Sequence, residues 1–79
     1  MARFLFFGRL REALGAGELA AALPDGVSDT ESVRAWLGGD HPVLLDPSVR
    51  IAVNAEIGHG NAPIADGDEI AFMPPMSGG

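Results

Sequence analysis

Short apolar runs bounded by turn residues predict three β-strands, at residues 3–7, 50–54 and 69–73. In the first of these strands, Phe4 and Phe6 should share one face. Leu5 and Phe7 then lie on the opposite face, so this strand is apolar on both sides. Such a strand is typical of the middle of a sheet, or of a sheet whose second face is covered by a partner.

A different spacing identifies the main helix at residues 28–37. Apolar residues recur at i, i+3 and i+4 from Val33 onward, which gives the stripe by which a helix packs on a sheet. Ser28, with a glutamate three residues later, fits a capping box at the beginning of this helix. Gly38 and Gly39 then predict its end.

The segments between these elements are shorter. Residues 9–14 contain two leucines at i and i+4 and predict a short helix. Residues 40–48 contain two prolines and predict an irregular connection from which Leu44 and Leu45 enter the core. A turn then leads to a short strand at Ile57.

The end of the sequence combines a turn, a strand and a stiff extension. Residues 66–68, Asp-Gly-Asp, form a turn sequence, and the predicted strand 69–73 follows it. Pro74 and Pro75 stop strand pairing because proline has no N–H to donate, and they favour an extended polyproline conformation. The last two of residues 76–79 have no side chain. This shape suits a narrow channel into another protein, while a short Ser-Gly-Gly end is also common as exposed padding.

Charge narrows the classes of partner. The 79 residues include 11 acidic and 5 basic side chains, for a formal net charge of −6, and all the basic residues are arginines. Such a chain has little with which to neutralise a run of phosphates, so nucleic-acid binding is not expected. An acidic surface favours basic protein partners. Without lysine, the body offers no side-chain amine for isopeptide linkage.

The chemistry of single residues is also limited. No cysteine is present, which excludes a thiol nucleophile, a disulfide and a cysteine-ligated metal. His41 and His59 are far apart in sequence and are interpreted as surface loop residues without a metal or acid–base role. No signal peptide is apparent, and no apolar run approaches the ~20 residues that a membrane span needs, so we expect a cytoplasmic protein.

Both ends of the sequence resemble one family. Residues 4–15, Phe-Leu-Phe-Phe-Gly-Arg-Leu-Arg-Glu-Ala-Leu-Gly, and residues 66–79, ending in Pro-Pro-Met-Ser-Gly-Gly, resemble the small subunit of molybdopterin synthase, a ubiquitin-like sulfur-carrier family. The middle of the chain resembles it only in spacing. The resemblance implies an α+β protein with the β-grasp fold, in which one main helix packs on one face of a mixed sheet. It further implies a single domain over residues 1–79 with a flexible C-terminal tail at 74–79.

The resemblance also favours one of two structures for an ambiguous segment and implies a docking surface. At residues 18–23 the alanines favour a helix by propensity, whereas a β-grasp fold requires a strand, which we expect. First and last strands pair in this fold, so side chains facing away from the helix should form an exposed apolar patch for a partner. These residues are Leu5, Phe7, Ala71 and Met73. The tail would extend this partner-binding surface through Pro74, Pro75, Met76 and Ser77.

The chemistry implied by the resemblance takes place at the C-terminus. An ATP-dependent, E1-like adenylating enzyme would convert the Gly79 carboxylate to an acyl-adenylate. A sulfur donor, such as a cysteine desulfurase or a rhodanese-like protein, would then leave a thiocarboxylate. Gly78 and Gly79 would enter the large catalytic subunit of the synthase, where sulfur passes to a cyclic pterin phosphate to build the molybdopterin dithiolene. The chain would bind no cofactor or metal and would not be catalytic alone, and the synthase would be a heterotetramer.

Other functions fit parts of the same pattern. Sulfur carriers for thiamine or cysteine synthesis and ubiquitin-like protein modifiers also end in Gly-Gly. A β-grasp interaction domain with an inert tail is a third class. The Phe-Phe-Gly start and the Pro-Pro-Met-Ser-Gly-Gly end favour the molybdopterin branch.

Overall fold

Five strands form one mixed sheet in the computed structural model, which describes residues 1–58 and 60–75. The strands are β1 (Ala2–Phe6), β2 (Glu18–Ala21), β3 (Arg50–Val53), β4 (Glu56–Ile57) and β5 (Glu69–Met73). The helices are α1 (Arg9–Leu14), α2 (Thr30–Gly38) and a 3-10 helix, Pro42–Leu45. The predictions made for His59, Met76, Ser77, Gly78 and Gly79 lie outside the described residues.

The sheet has the strand order β2-β1-β5-β3-β4. Its first and last strands, β1 and β5, pair with each other at the centre, as predicted, and they run parallel. The other three pairs are antiparallel: β2 with β1, β3 with β5, and β4 with β3. The strand expected at 18–23 is confirmed over Glu18–Ala21. A mixed sheet with one main helix is the predicted β-grasp arrangement.

The side of the sheet that faces α2 forms the core. Phe4 lies opposite Ile70 across the central strand pair, and both side chains are fully buried. Phe6 lies opposite Phe72, and their rings stack with centroids 5.5 Å apart. Trp36 of α2 meets Phe4 edge to face at 5.8 Å. The face predicted from the alternation in the first strand is therefore confirmed on this side.

Helix α2 begins at Thr30, and its N-cap is Asp29 rather than the predicted Ser28. The Asp29 carboxylate accepts the backbone N–H of Ser32 at 2.8 Å, and the Ser32 hydroxyl accepts the N–H of Asp29 at 3.1 Å. The amide of Asn61 also donates to this carboxylate at 3.1 Å. Hydrogen bonds from the Ser32 side chain, the Ser32 backbone and Asn61 hold the pKa of Asp29 below its ordinary value.

The end of α2 also differs from the prediction. Gly38 is the last helical residue, one residue beyond the predicted end, and Gly39 is the C-cap, as the predicted Gly38-Gly39 stop allows. A Cβ at this position would overlap the side chain of Leu45, which would have to move to admit it. Leu44 is fully buried as predicted, but Leu45 is 49% exposed, so its prediction as a core residue is wrong. Adjacent residues of a 3-10 helix point in different directions, and only one of the two leucines faces the core.

The predicted turn before Ile57 is a two-residue connection between β3 and β4. Asn54 and Ala55 both have positive φ, 51° and 69°, as the tight turns of β-hairpins require. The Asn54 side chain accepts the N–H of Glu69 at 3.0 Å and donates to the carboxylate of Asp68 at 3.1 Å. These bonds attach the hairpin to the beginning of β5.

Candidate partner-binding surface

The sheet face that α2 does not cover, called here the open face, is mostly apolar. Strand register determines its members, because Leu5 lies opposite Ala71, Ala71 opposite Ala52, and Ala52 opposite Ile57. Phe7 and Met73 continue the same alternation beyond Leu5 and Ala71. The apolar residues of the open face are Leu5, Phe7, Ala52, Ile57, Ala71 and Met73.

Exposure along the open face is uneven. Phe7 is 47% exposed, and Leu5 and Met73 are half-buried. The prediction that Ala71 would be exposed is wrong, since only 8% of it is accessible. Alanine is short, and Ala71 lies on the central strand β5 with a strand on either side, opposite Leu5 and Ala52. The patch predicted from the sequence is therefore present as a surface with a shallow centre.

Ile57 is a member of this surface that sequence reasoning did not assign to it. Its side chain is 49% exposed, and it joins the open face because β4 pairs it with Ala52. The two-residue strand β4 is too short to show alternation. No signal in the sequence gave its face, although the turn before it was recognisable.

The residues at the root of the tail are closely packed. Gly8 has φ 56° and ψ −134°, a backbone conformation that residues other than glycine rarely adopt. A Cβ at this position would lie 3.0 Å from Cγ of Pro74. Pro74 and Pro75 are half-buried. They line one open groove together with Phe7, Met73, Ile57 and Arg50. The root of the tail is thus continuous with the open face.

Charged side chains lie at both ends of the open face. At the end remote from the tail, Arg3 donates to the carboxylate of Glu18 at 2.9 Å and lies 3.8 Å from that of Glu69. At the end next to Pro74 and Pro75, Arg50 lies opposite Met73. These charges were not predicted as part of the surface, because their placement depends on register between strands distant in sequence.

Arg34 of α2 anchors the chain that leads into β3. Its guanidinium donates to the carbonyl oxygens of Leu44 and Asp46, both at 3.0 Å, and to that of Val49 at 2.7 Å. Asp46 in turn accepts the backbone N–H of Ser48 at 2.9 Å and its hydroxyl at 2.7 Å, which lowers the pKa of Asp46. Together these bonds fix the beginning of β3, and therefore the backbone of Arg50.

The described part of the chain was also compared with the requirements of a metal site and of a membrane span. Within residues 1–58 and 60–75, no group of three or more His, Cys, Asp or Glu side chains could hold a metal ion. In the same residues, no helix is long and apolar enough to cross a membrane. What this arrangement can do is present an apolar face and a tail root to another protein.

Comparison with known proteins decides the family, since residues 4–79 match the family described as ThiS. The chain belongs to the ThiS family. ThiS-family relatives named "Molybdopterin synthase sulfur carrier subunit" include that of Escherichia coli K12, which is 36% identical over 100% of both chains. That of Chlamydomonas reinhardtii is 35% identical over 98% of this chain and 96% of the relative. The resemblance read from the two ends of the sequence is confirmed.

Two solved structures share this ThiS-family fold. The small archaeal modifier SAMP1 from Haloferax volcanii aligns with a TM-score of 0.77 at 26% identity, over 99% of this chain and 98% of that one. A chain from the complex of subunits 1 and 2 of the molybdopterin-converting factor of Helicobacter pylori aligns with a TM-score of 0.68 at 25% identity, over 99% and 97%. The β-grasp prediction is thereby confirmed.

Proposed function

We propose that this chain is the sulfur carrier of a molybdopterin synthase, the small subunit that holds sulfur as a thiocarboxylate on Gly79 and donates it to a cyclic pterin phosphate. The observation that carries the proposal is the full-length similarity to the sulfur carrier subunits of Escherichia coli and Chlamydomonas reinhardtii. The chain is not catalytic alone; it supplies the sulfur that the large subunit uses.

Charging requires activation, because a carboxylate is a poor electrophile. An adenylating enzyme joins the Gly79 carboxylate to the α-phosphate of ATP, and pyrophosphate leaves. The outer sulfur of a persulfide on the donor then attacks the acyl carbon and displaces AMP. A second thiol of the donor cleaves the resulting acyl disulfide, which releases the thiocarboxylate and leaves the donor oxidised to a disulfide. The chain contains no cysteine, so a thiol side chain cannot hold the sulfur, and the terminal carboxylate is the remaining carrier.

Donation takes place in the large subunit. The open face docks on that subunit with Leu5, Phe7 and Met73 in the contact, because an apolar surface of this kind usually marks a protein interface. Pro74 and Pro75 direct the tail away from the body, and Met76 and Ser77 lie along the channel. A dithiolene holds two sulfurs, so two charged carriers are consumed for each product, which is consistent with a heterotetramer.

The terminal glycines keep the tail narrow. A Cβ at Gly78 or Gly79 would widen the tail beyond a backbone-sized channel and restrict its torsions. General acid–base and phosphate-binding groups belong to the large subunit. No cofactor is bound by the carrier, and ATP is used by the activating enzyme.

Conjugation to other proteins is the second candidate, and the likeness to SAMP1 is what favours it. A modifier uses the same activated terminus but transfers it to an amine instead of exchanging it for sulfur. The two functions differ in product: a modifier forms an amide with a target lysine, whereas a carrier is released with its carboxylate restored. Carriers for thiamine or cysteine synthesis differ in their partner enzyme. A carrier for thiamine synthesis, for example, would bind a thiazole synthase.

The test is deletion of Gly79 in a reconstituted synthase. The chain is charged with its activating enzyme, and intact mass reports the exchange of oxygen for sulfur. We expect the deletion to abolish molybdopterin formation while leaving the urea unfolding curve unchanged. Gly39→Ala is the matched control, because Gly39 has helical φ and ψ (−61° and −40°) and a Cβ there makes an ordinary contact at 3.4 Å. Normal molybdopterin formation by the deletion variant would refute the role of Gly79.

A further inference from the structure

Arg50 is an exposed cation within a predominantly acidic chain. Of the five arginines in the sequence, Arg3 pairs with two glutamates and Arg34 donates to three carbonyl groups. Within residues 1–58 and 60–75, Arg50 forms neither a hydrogen bond nor an ion pair at its side chain. Arg9 and Arg11 of α1 also have no such partner in these residues, so what distinguishes Arg50 is its position on β3, on the open face.

That position is the end of the open face next to Pro74 and Pro75. Arg50 lies directly opposite Met73, the last residue of β5, and shares a groove with Phe7, Pro74 and Pro75. Opposed residues on one face of an antiparallel pair have Cβ atoms only about 5 Å apart. The guanidinium therefore lies at the border of the apolar surface, next to the root of the tail.

The backbone under Arg50 is fixed. Arg34 binds the carbonyl oxygen of Val49, the preceding residue, at 2.7 Å, and β5 holds Arg50 from the other side. A partner that covers the open face therefore meets this charge at a defined place. Removing a guanidinium from water without a partner is costly, whereas a bidentate carboxylate satisfies both its charge and its geometry.

We propose that Arg50 is a specificity-determining contact of the docking surface, pairing with a carboxylate on the large subunit beside the entrance for the tail. This inference rests on the proposed function and specifies its partner. The net charge of −6 makes a generally acidic partner surface unfavourable. The partner's carboxylate must therefore be a single group that faces Arg50, away from the acidic side chains on the rest of the carrier. A contact at this point also fixes the orientation of the carrier on the large subunit when its C-terminus enters that subunit.

The test measures affinity for the large subunit by calorimetry at low and high salt, using Arg50→Lys, Arg50→Gln and Arg50→Glu. Loss of one partner of a covered charge pair mainly affects dissociation, so we expect Kd to rise about tenfold for Gln and about 100-fold for Glu. Lys keeps the charge but loses the bidentate geometry, and should raise Kd about threefold. The affinity of Arg50→Gln should also depend less on salt than that of the unmodified chain.

Arg11→Gln is the matched control, since it removes the same charge elsewhere. The Arg11 side chain lies over Gly17, the residue just before β2, because a Cβ added to Gly17 would be 3.1 Å from Nε of Arg11. Three strand spacings, about 14 Å, separate β2 from β3. Arg11→Gln should change Kd by less than about twofold, because screening weakens charges beyond the Debye length.

Rescue identifies the partner group. Carboxylates on the docking surface of the large subunit are changed to lysine one at a time, and one of them should restore the binding of Arg50→Glu. The inference is overturned if Arg50→Gln binds like the unmodified chain, or if Arg11→Gln weakens binding equally. If Phe7→Ala weakens binding while Arg50→Gln does not, the proposed contact of Arg50 is refuted but the docking surface is not. If the unmodified chain does not bind the large subunit, the proposed function falls as well.

Discussion

Phe7 is the residue through which the docking surface can be tested most directly. It is 47% exposed on the open face, beside the root of the tail. Leu19 offers a matched control, because it is 41% exposed but lies opposite Phe4, on the helix-facing side at the sheet edge. Phe7→Ala and Leu19→Ala each remove an exposed apolar side chain, and only Phe7 belongs to the proposed interface.

The size of the effect follows from the exposed area. A fully accessible phenylalanine presents roughly 200 Å². The exposed 47% of Phe7 is then about 95 Å², and covering it at about 25 cal/mol per Å² contributes about 2.4 kcal/mol. That free energy corresponds to about 50-fold in Kd. Ordering the interface costs free energy and alanine keeps part of the contact, so we expect Phe7→Ala to raise Kd by about 10- to 50-fold.

Binding to the large subunit is measured by calorimetry, and folding by urea denaturation. About half of Phe7 is already buried in the free chain, so unfolding should become easier by about 2 kcal/mol, less than the ~3–5 kcal/mol of a fully buried phenylalanine. Leu19→Ala should leave Kd within about twofold of its original value. If Leu19→Ala weakens binding as much as Phe7→Ala, or if Phe7→Ala leaves Kd unchanged, the open face is not the interface.

Two further predictions concern stability. Gly8→Ala should lower the free energy of unfolding by about 1–3 kcal/mol, because alanine must adopt a glycine conformation and its Cβ presses on Pro74; an unchanged urea midpoint would contradict this. The pKa of Asp29 is lowered from 3.8 by hydrogen bonds from Ser32 and Asn61, so the stability it contributes is complete above about pH 3.8 and is lost as the pH falls through the lower folded value. Asp29→Asn should therefore be less stable than the original chain at neutral pH and should depend less on pH below 3.8, as measured by urea titrations across pH; equal slopes for the two proteins would rule out this role.

The sequence by itself determined those features that depend on neighbours along the chain. Alternation in the first strand placed Phe4 and Phe6 in the core, because side chains of a strand must point to opposite faces in turn. The two proline residues at 74 and 75 marked the end of β5 at Met73, since proline cannot continue the hydrogen-bonded ladder. The motifs at the two ends identified the family.

Only the tertiary structure decided features that depend on register between distant segments. The burial of Ala71, the placement of Ile57 on the open face and the position of Arg50 opposite Met73 all follow from how β3, β4 and β5 align. A remote loop likewise supplies Asn61, which adds a hydrogen bond to the Asp29 carboxylate at the beginning of α2. Spacing in the sequence fixes the direction in which a side chain points, whereas its neighbours, its burial and its charge partners are set by contacts between segments far apart in the chain.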